Sequence, residues 1–524
     1  MKKVYVIFIM SMLGLFLFSC NKDFLDRQPL DQYSESSLWS SAKDAEAALN
    51  GCYSGYEDGD WILYRDCASD NAFDPYPWEW IAPYGNMMLT TASGGSWNTQ
   101  FKYGTVQKCN WFLAGVDKTP MDEDLKTRMK AEARFLRAYR YFVMSQYYGG
   151  VPLITANITT LEANTVTRAS KDEVVKFVLD ELAAVQADLP ESYSGSDIGR
   201  ITKGAAWALK ARVELYNQKY TDCVASCNNL IGKYTLFPNY TDLFRIQNEH
   251  NSEILLDVEY VENTVPLWTT GVLFTQNLGG WWSVDPTQSL VDAYEMSNGK
   301  TIDDPTSGYD PENPYKNRDP RLDATVIVPG SLVGGKYFNP IGDPSSLDYY
   351  APYLYTGYSI RKYVSDKADF GDMWNSGLNI PVIRYAEVLL TYAEAKIELN
   401  QIDASVFSAI NEIRTRAGMP VVDETVYKGQ IKMRELIRRE RRIELAMEGL
   451  RFFDIQRWKI GEVMNGPVYG CRLGTVDANT GKVSFTSDRI VSDHRVFDPA
   501  KNYLWPIPQS QIDINNKLVQ NPGY

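Results

Sequence analysis

Apolar residues recur with a helical period along much of the chain. Leu136, Tyr139, Val143 and Tyr147 lie at i, i+3, i+7 and i+11, which places them on one face of a helix that ends at Gly149. The same period predicts two helix pairs and one further helix, at about 203–217 with 221–231, about 383–399 with 403–417, and about 430–448. Helix–turn–helix units of about 34 residues are typical of tetratricopeptide-like repeats. The chain is therefore predicted to be mainly α.

Two helix starts carry capping signals. Thr119 and Pro120 are followed by acidic residues, which predicts a helix that begins there. Ser170 and Glu173 have the spacing of a capping box, and Pro190 ends the apolar repeat that follows them.

Two long segments lack this period. Residues 233–380 hold 11 of the 25 prolines, and residues 59–103 are similarly irregular, so both are predicted to be loop-rich inserts on a helical body. The predicted organisation is a signal peptide at 1–19 and a single domain at 20–524, with a helical scaffold at about 35–58, 104–232 and 383–460 and a C-terminal loop segment at 461–524.

The N-terminus predicts export and lipidation. Lys2 and Lys3 precede an apolar run, residues 4–18, that is too short to span a bilayer at about 1.5 Å per residue. Such a run is typical of a signal peptide. The ending at Ser19 and Cys20 resembles a bacterial lipobox, so Cys20 is predicted to carry the lipid. The alternative is a plain secretory signal that is cleaved near Ser19.

Charge and histidine content exclude several classes of function. Lys and Arg number 53 against 66 Asp and Glu, and this net acidity argues against nucleic acid as a partner. His250 and His494 are the only histidines, so no histidine-rich metal site is expected. The chain contains no P-loop, Rossmann fingerprint, H-E-x-x-H or G-x-S-x-G motif. The 66 acids still offer many carboxylate pairs for glycoside hydrolysis, and no spacing singles one out. We predict no cofactor and no metal ligand, and no catalytic residue is assigned.

Tryptophan pairs in the irregular segments are the candidate binding residues. Trp78 with Trp80 and Trp281 with Trp282 lie beside proline, glycine or acid. Stacked indoles and nearby polar groups suit the apolar faces and the hydroxyl rim of a sugar. The predicted glycan site consists of these four tryptophans together with Asp70, Asn71 and Asn277. The alternative for each tryptophan is a plug that fixes a loop to the body.

An arginine-rich run at residues 434–442 has a structural interpretation. Glu435, Glu440 and Glu444 interleave with the arginines at helical spacing, which predicts a salt-bridged helix rather than a nucleic-acid contact.

Several motifs together resemble those of the SusD/RagB-family lipoproteins of Bacteroidetes. They are AEARFLRAY at Ala131–Tyr139, YGGVPL at Tyr148–Leu153, TKGAA at Thr202–Ala206, PTQ at Pro286–Gln288, RRERRIELA at Arg438–Ala446, WPIP at Trp505–Pro508 and QNPGY at Gln520–Tyr524. They follow one another in the family's order over nearly the whole mature chain.

The resemblance implies a fold of about four tetratricopeptide-like helix pairs that carry ligand-binding loops. It implies a non-catalytic, glycan-binding lipoprotein at the surface of the outer membrane, with a SusC-like TonB-dependent transporter as its partner. The binding loops diverge within the family, so no family binding residue carries over by motif. Three alternatives stay open: a RagB-like protein that captures peptides, a lipid-anchored glycoside hydrolase, and a purely structural lid for the transporter.

Overall fold

The computed structural model describes residues 39–92, 100–349 and 355–524. The predicted signal peptide and Cys20 lie outside the described residues. In the first half the helices are α1 (Ala42–Tyr53), α2 (Gly59–Arg65), α3 (Ala82–Gly85), α4 (Gly104–Gly115), α5 (Glu123–Tyr148), α6 (Thr160–Ala163), α7 (Lys171–Val185), α8 (Lys203–Tyr216) and α9 (Tyr220–Cys227).

The second half adds further helices and most of the strands. The helices are α10 (Thr269–Leu273), α11 (Gln288–Ala293), α12 (Pro320–Thr325), α13 (Tyr385–Glu398), α14 (Ala404–Arg416), α15 (Gly429–Glu444), α16 (Arg451–Trp458) and α17 (Gln509–Ile514). The strands are β1 (Ala72–Phe73), β2 (Ile254–Val258), β3 (Asp285–Pro286), β4 (Val326–Ile327), β5 (Leu332–Val333), β6 (Lys336–Tyr337), β7 (Ser359–Ile360), β8 (Ile380–Arg384), β9 (Gly466–Val476) and β10 (Val483–Arg495). The prediction of a mainly α protein is confirmed.

The helices form one continuous packed array. α1 packs on α4, α4 on α5, α5 on α7, α7 on α8, and α8 on α9. α9 then packs on α13, which also contacts α14 and α15, so the array continues across the long insert between α9 and α13. None of the helices in the described part of the chain combines the length and apolarity needed to cross a membrane.

Local sequence explains where two of these helices begin. The Ser170 hydroxyl accepts from the Glu173 N–H and the Glu173 carboxylate accepts from the Ser170 N–H, which confirms the predicted capping box. α5 begins one turn later than predicted, because Asp122, not Thr119, caps it by accepting from the Leu125 N–H (2.9 Å).

Within the described residues the strands form five two-stranded pairs, and four of these pairs hold the inserts in place. β1 pairs with β3, β2 with β8, β4 with β7 and β5 with β6, all antiparallel. The fifth is the hairpin of β9 and β10. The predicted loop segment at 461–524 is therefore wrong over this hairpin. The pairing contains register shifts, β10 is mostly exposed, and β9 has no regular alternation of buried and exposed residues.

The C-terminal half of the arginine-rich helix α15 is buried, whereas its first turns are exposed. Glu444 accepts from Arg384 (2.7 Å) and from Arg321 (2.9 Å), and it also contacts Arg416. Burial by itself would raise the pKa of Glu444, but these three guanidinium groups hold it far below its usual range. The structural interpretation of the run is confirmed, although the ion-pair partners of Glu444 come from other elements rather than from α15.

Candidate functional site

Two loops that are distant in sequence meet at a short antiparallel pairing. Ala72 of β1 lies opposite Pro286 of β3. Beyond this pairing, the Tyr76 hydroxyl donates to the backbone carbonyl of Trp281 (2.6 Å), 205 residues away. The same hydroxyl accepts from the Tyr355 hydroxyl (2.5 Å). The first predicted tryptophan pair is thereby held beside the second, on loops carried by a rigid body.

Five aromatic side chains lie at this junction, and we call them the aromatic platform: Tyr76, Trp78, Trp268, Trp281 and Trp374. The residues Trp78, Trp281 and Trp268 are 76%, 51% and 43% exposed. The Trp281 ring lies 5.0 Å from that of Trp374 and 6.3 Å from that of Trp268, and the Trp78 ring lies 5.0 Å from that of Tyr76. Clustered indoles that stay open to solvent indicate a binding surface.

Gly271 and Asp60 fix the positions of two platform indoles. A Cβ at Gly271 would lie 2.4 Å from the ring of Trp374, so only glycine lets this indole pack against α10. Asp60 of α2 accepts from the Trp268 indole N–H (3.0 Å) and from the Thr269 hydroxyl. Burial, and then the neighbouring Asp58, raises the pKa of Asp60 to about 7.

Amides and acids supply polar groups beside the rings. Asn375 follows Trp374 directly, and its side chain donates to the side chain of Asn263 (2.7 Å) and accepts from the Asn263 N–H (2.9 Å). Asp372, two residues before Trp374, is exposed. A surface that combines flat rings with amides and carboxylates can stack on the C–H face of a sugar and bond to its hydroxyls.

The remaining two predicted tryptophans pack into the interior of the protein. Trp80 is half-buried and stacks on Trp61 with ring centroids 4.2 Å apart. Trp282 is 1% exposed, stacks on Tyr355 (4.5 Å) and donates its indole N–H to the carbonyl of Tyr358 (2.8 Å). A ring enclosed in this way has no free face for a ligand, so the structure places Trp282 beneath the surface as a loop plug.

Asp70 and Asn71 are also buried, at 8% and 0% exposure. Asp70 pairs with Arg451 (2.7 Å) and Arg442 (3.1 Å), and Asn71 accepts from Arg442 (2.9 Å). Burial alone would raise the pKa of Asp70, but the two guanidinium groups lower it to about 2. These side chains fasten the loop to α15 and α16, and their hydrogen bonds leave no room for the predicted contact with a sugar.

Asn277 is half-buried in the loop that carries Trp281. Its backbone N–H donates to Asp348 (2.9 Å), and its side-chain oxygen accepts from the exposed Lys336 (3.3 Å). The amide thus keeps partial access to solvent. Its side-chain partner, Lys336, is not one of the platform residues.

Two carboxyl groups lie at the base of the Trp78 loop. Burial, followed by the charge of Glu79, raises the pKa of Asp74, and burial raises the pKa of Glu79. Asp74 accepts from the Tyr76 N–H (2.9 Å), and Glu79 accepts from the Ser283 hydroxyl (3.0 Å). Glycoside hydrolysis needs a pair of carboxyl groups that face the substrate. These two carboxyl groups bond to groups of the loops instead.

A cavity in the helical scaffold lies away from the platform. It measures about 720 Å³ and is lined by α4 and the segment that follows α5, including Tyr103, Trp111, Asn157 and Ile158. It belongs to the helical scaffold, whereas the platform is an open surface. Sequence reasoning missed Tyr76, Trp268 and Trp374 in the platform, because none of them belongs to a tryptophan pair.

Comparison with known proteins finds matches over most of the chain. The SusD family matches residues 243–524, and a family described as "Starch-binding associating with outer membrane" matches residues 23–215. A SusD-like carbohydrate binding protein from Bacteroides fragilis is 32% identical, with a TM-score of 0.79 over 92% of this chain and 100% of that one. A second SusD-like protein from that species is 30% identical, with a TM-score of 0.80 over 95% and 100%. The starch-binding protein SusD of Bacteroides thetaiotaomicron is 26% identical over 90% of this chain and 87% of that protein.

Proposed function

The chain belongs to the SusD family, and from this membership and the aromatic platform we propose that it is a non-catalytic glycan-binding protein of the outer-membrane surface. It captures oligo- or polysaccharide on the platform and delivers it to a SusC-like TonB-dependent transporter. A lipid on Cys20 anchors it to the membrane. Its relatives and matching family are described by carbohydrate binding, starch binding and association with the outer membrane, which supports this function.

The observation that carries the proposal is the exposure of three indoles at the junction of two loops. Trp78, Trp268 and Trp281 keep large parts of their surface in water although they lie within ring-contact distance of other aromatics. A sugar ring that stacks on an indole removes apolar surface from water at about 25 cal/mol per Å². Because the platform is open at its surface, it suits an internal segment of a long chain rather than a chain end.

Two alternatives would use the same loops. Peptide capture would use the same rings and amides, but the relatives are described as carbohydrate-binding and starch-binding proteins, which favours a glycan. A glycosidase would need a pair of carboxyl groups that face the substrate, whereas Asp74 accepts from the Tyr76 N–H and Glu79 accepts from the Ser283 hydroxyl.

The test is affinity electrophoresis and calorimetry against a panel of plant, fungal, bacterial and algal polysaccharides. Trp78→Ala and Trp268→Ala are expected to weaken binding of the positive glycan by about tenfold each, which corresponds to about 1.4 kcal/mol. Trp207→Ala is the matched control, because Trp207 is a half-buried indole on α8 in the helical scaffold. Retention of full affinity in both platform variants would contradict the proposal.

Two additional readouts separate the alternatives. Release of oligosaccharides from the bound glycan would show hydrolysis and refute a purely binding role. Binding of unfolded peptides, with no glycan bound, would favour the peptide-capturing alternative. Copurification of a TonB-dependent barrel from native outer membranes would support the proposed transfer step.

A further inference from the structure

A second group of polar side chains lies beside the pairing of β2 and β8. His250, Asp257 and Glu259 each place one donor atom within 4.8 Å of the other two. His250 Nδ1 lies 3.8 Å from a carboxylate oxygen of Asp257, and Nε2 lies 3.6 Å from one of Glu259. These distances are too long for hydrogen bonds. The imidazole therefore lies between two acids without bonding to either.

Asp257 is the buried member of this group. Its side chain is 7% exposed. Its carboxyl group hydrogen-bonds with the carboxyl group of Glu259, and Glu249 is a further acid nearby. Two carboxylates this close repel each other when both are ionised. A cation between Asp257, Glu259 and the ring of His250 would neutralise that repulsion.

The acids around the ring are already held in position by a second set of contacts. The Asn379 side chain donates to Glu259 (3.1 Å), and the Asn379 backbone N–H donates to Glu249 (2.7 Å). Hydrogen bonds to the carboxylates that ligate a metal are a usual feature of metal sites, because they fix the orientation of the ligands.

We propose that His250, Asp257 and Glu259 bind a divalent transition-metal cation of the Zn²⁺ class, through one imidazole nitrogen and two carboxylate oxygens. Imidazole favours Zn²⁺ and its neighbours over Ca²⁺ and Mg²⁺, which prefer oxygen ligands alone. Three protein ligands leave one position of a tetrahedral site for water. Donor atoms around such an ion are about 3.3 Å apart, so small side-chain rotations would complete the site.

The site would join the turn that carries His250 to the strand that carries Asp257. β2 continues toward the segment that bears Trp268, so bound metal is expected to stiffen the base of that segment. This role does not require the platform to bind a glycan, and its test is independent of the glycan experiments.

The test is calorimetric titration of the full-length chain, purified in detergent and stripped with EDTA, with ZnCl₂ at pH 7.0. One equivalent is expected to bind and to raise the unfolding temperature. His250→Gln and Asp257→Asn are each expected to weaken binding at least tenfold. His494→Gln is the matched control, because it removes the only other histidine and is expected to leave binding unchanged. Co²⁺ should give a visible d–d absorption band in the control variant and not in His250→Gln.

Several results would overturn the proposal. One is the absence of saturable Zn²⁺ binding to the wild-type chain at millimolar metal. Equal binding to wild type and His250→Gln would show that the imidazole is no ligand, and so would Ca²⁺ binding as tight as Zn²⁺ binding. Asp257→Asn keeps the side-chain volume, so it tests the site even if His250→Gln fails to fold.

Discussion

Adjacent tryptophans in the second loop are expected to have opposite roles. Trp281 is 51% exposed and Trp282 is 1% exposed. We predict that Trp281→Ala weakens glycan binding and leaves stability nearly unchanged, whereas Trp282→Ala lowers stability. The pair is a matched comparison, because the same side chain is removed from neighbouring positions of one loop.

The magnitudes follow from the exposed and buried areas. A tryptophan has up to about 250 Å² of side-chain surface, so about half of it is open at Trp281. If a sugar ring covers half of that open area, about 60 Å² leaves water, which is worth about 1.5 kcal/mol or roughly a tenfold change in Kd. Removal of the enclosed ring of Trp282 is expected to cost about 3–5 kcal/mol.

Calorimetry with the positive glycan and thermal unfolding measure the two effects. At about 2.1 cal/mol/K per residue, a chain of this size loses about 1 °C of Tm per kcal/mol, so Trp282→Ala is expected to lower Tm by about 3–5 °C. Glycan binding by the folded fraction of that variant should persist. The reasoning would be refuted if Trp281→Ala lowered Tm as much as Trp282→Ala, or if it left the Kd unchanged.

Three further predictions concern charge and anchoring. Because the pKa of Asp60 is about 7, its carboxylate loses charge as the pH falls below 7, and the hydrogen bond to Trp268 weakens. Glycan affinity is therefore expected to fall about two- to threefold between pH 8 and pH 6, and Asp60→Asn should abolish this dependence in calorimetry. Glu444→Gln is expected to lower the free energy of unfolding by about 3–5 kcal/mol in urea titrations, because it leaves buried guanidinium groups under-compensated, and a loss below 1 kcal/mol would contradict this. The lowered pKa of Glu444 also predicts that this stabilisation is complete above the ordinary glutamate pKa and is lost as the pH falls toward the folded value. Cys20→Ala is expected to release the protein from the outer membrane or leave it unprocessed, and palmitate labelling of that variant would refute lipidation at Cys20.

The helical part of the fold was largely predictable from local sequence. Periodic apolar residues and the capping box at Ser170 predict helices because caps and stripes act within a few residues. The start of α5 was misplaced by one turn, since both Thr119 and Asp122 are suitable caps and only the structure distinguishes them. The β9–β10 hairpin was missed because its strands lack a regular alternation: β9 mixes buried and half-buried residues with three glycines, and β10 is mostly exposed.

The composition of the candidate site was less predictable. Asp70 and Asn71 have the right chemistry for sugar hydroxyls, but Arg442 and Arg451, which lie more than 370 residues further along the chain, occupy them. No local pattern reveals partners at that separation. Trp281 is exposed and Trp282 is buried. Because the two neighbours are the same residue type, their sequence does not reveal this difference.

The buried polar contacts beneath the platform explain how an open surface can still bind. Asp70 joins the first loop to Arg442 and Arg451, and charge-paired hydrogen bonds of this kind hold a loop in one geometry. The hydrogen bond from Tyr76 to the Trp281 carbonyl fixes the second loop against the first. A rigid surface loses little conformational freedom when a ligand arrives, so each stacked ring contributes most of its burial energy to affinity. Because the surface is open, a long chain could lie across it and leave again, as the proposed transfer to a transporter requires.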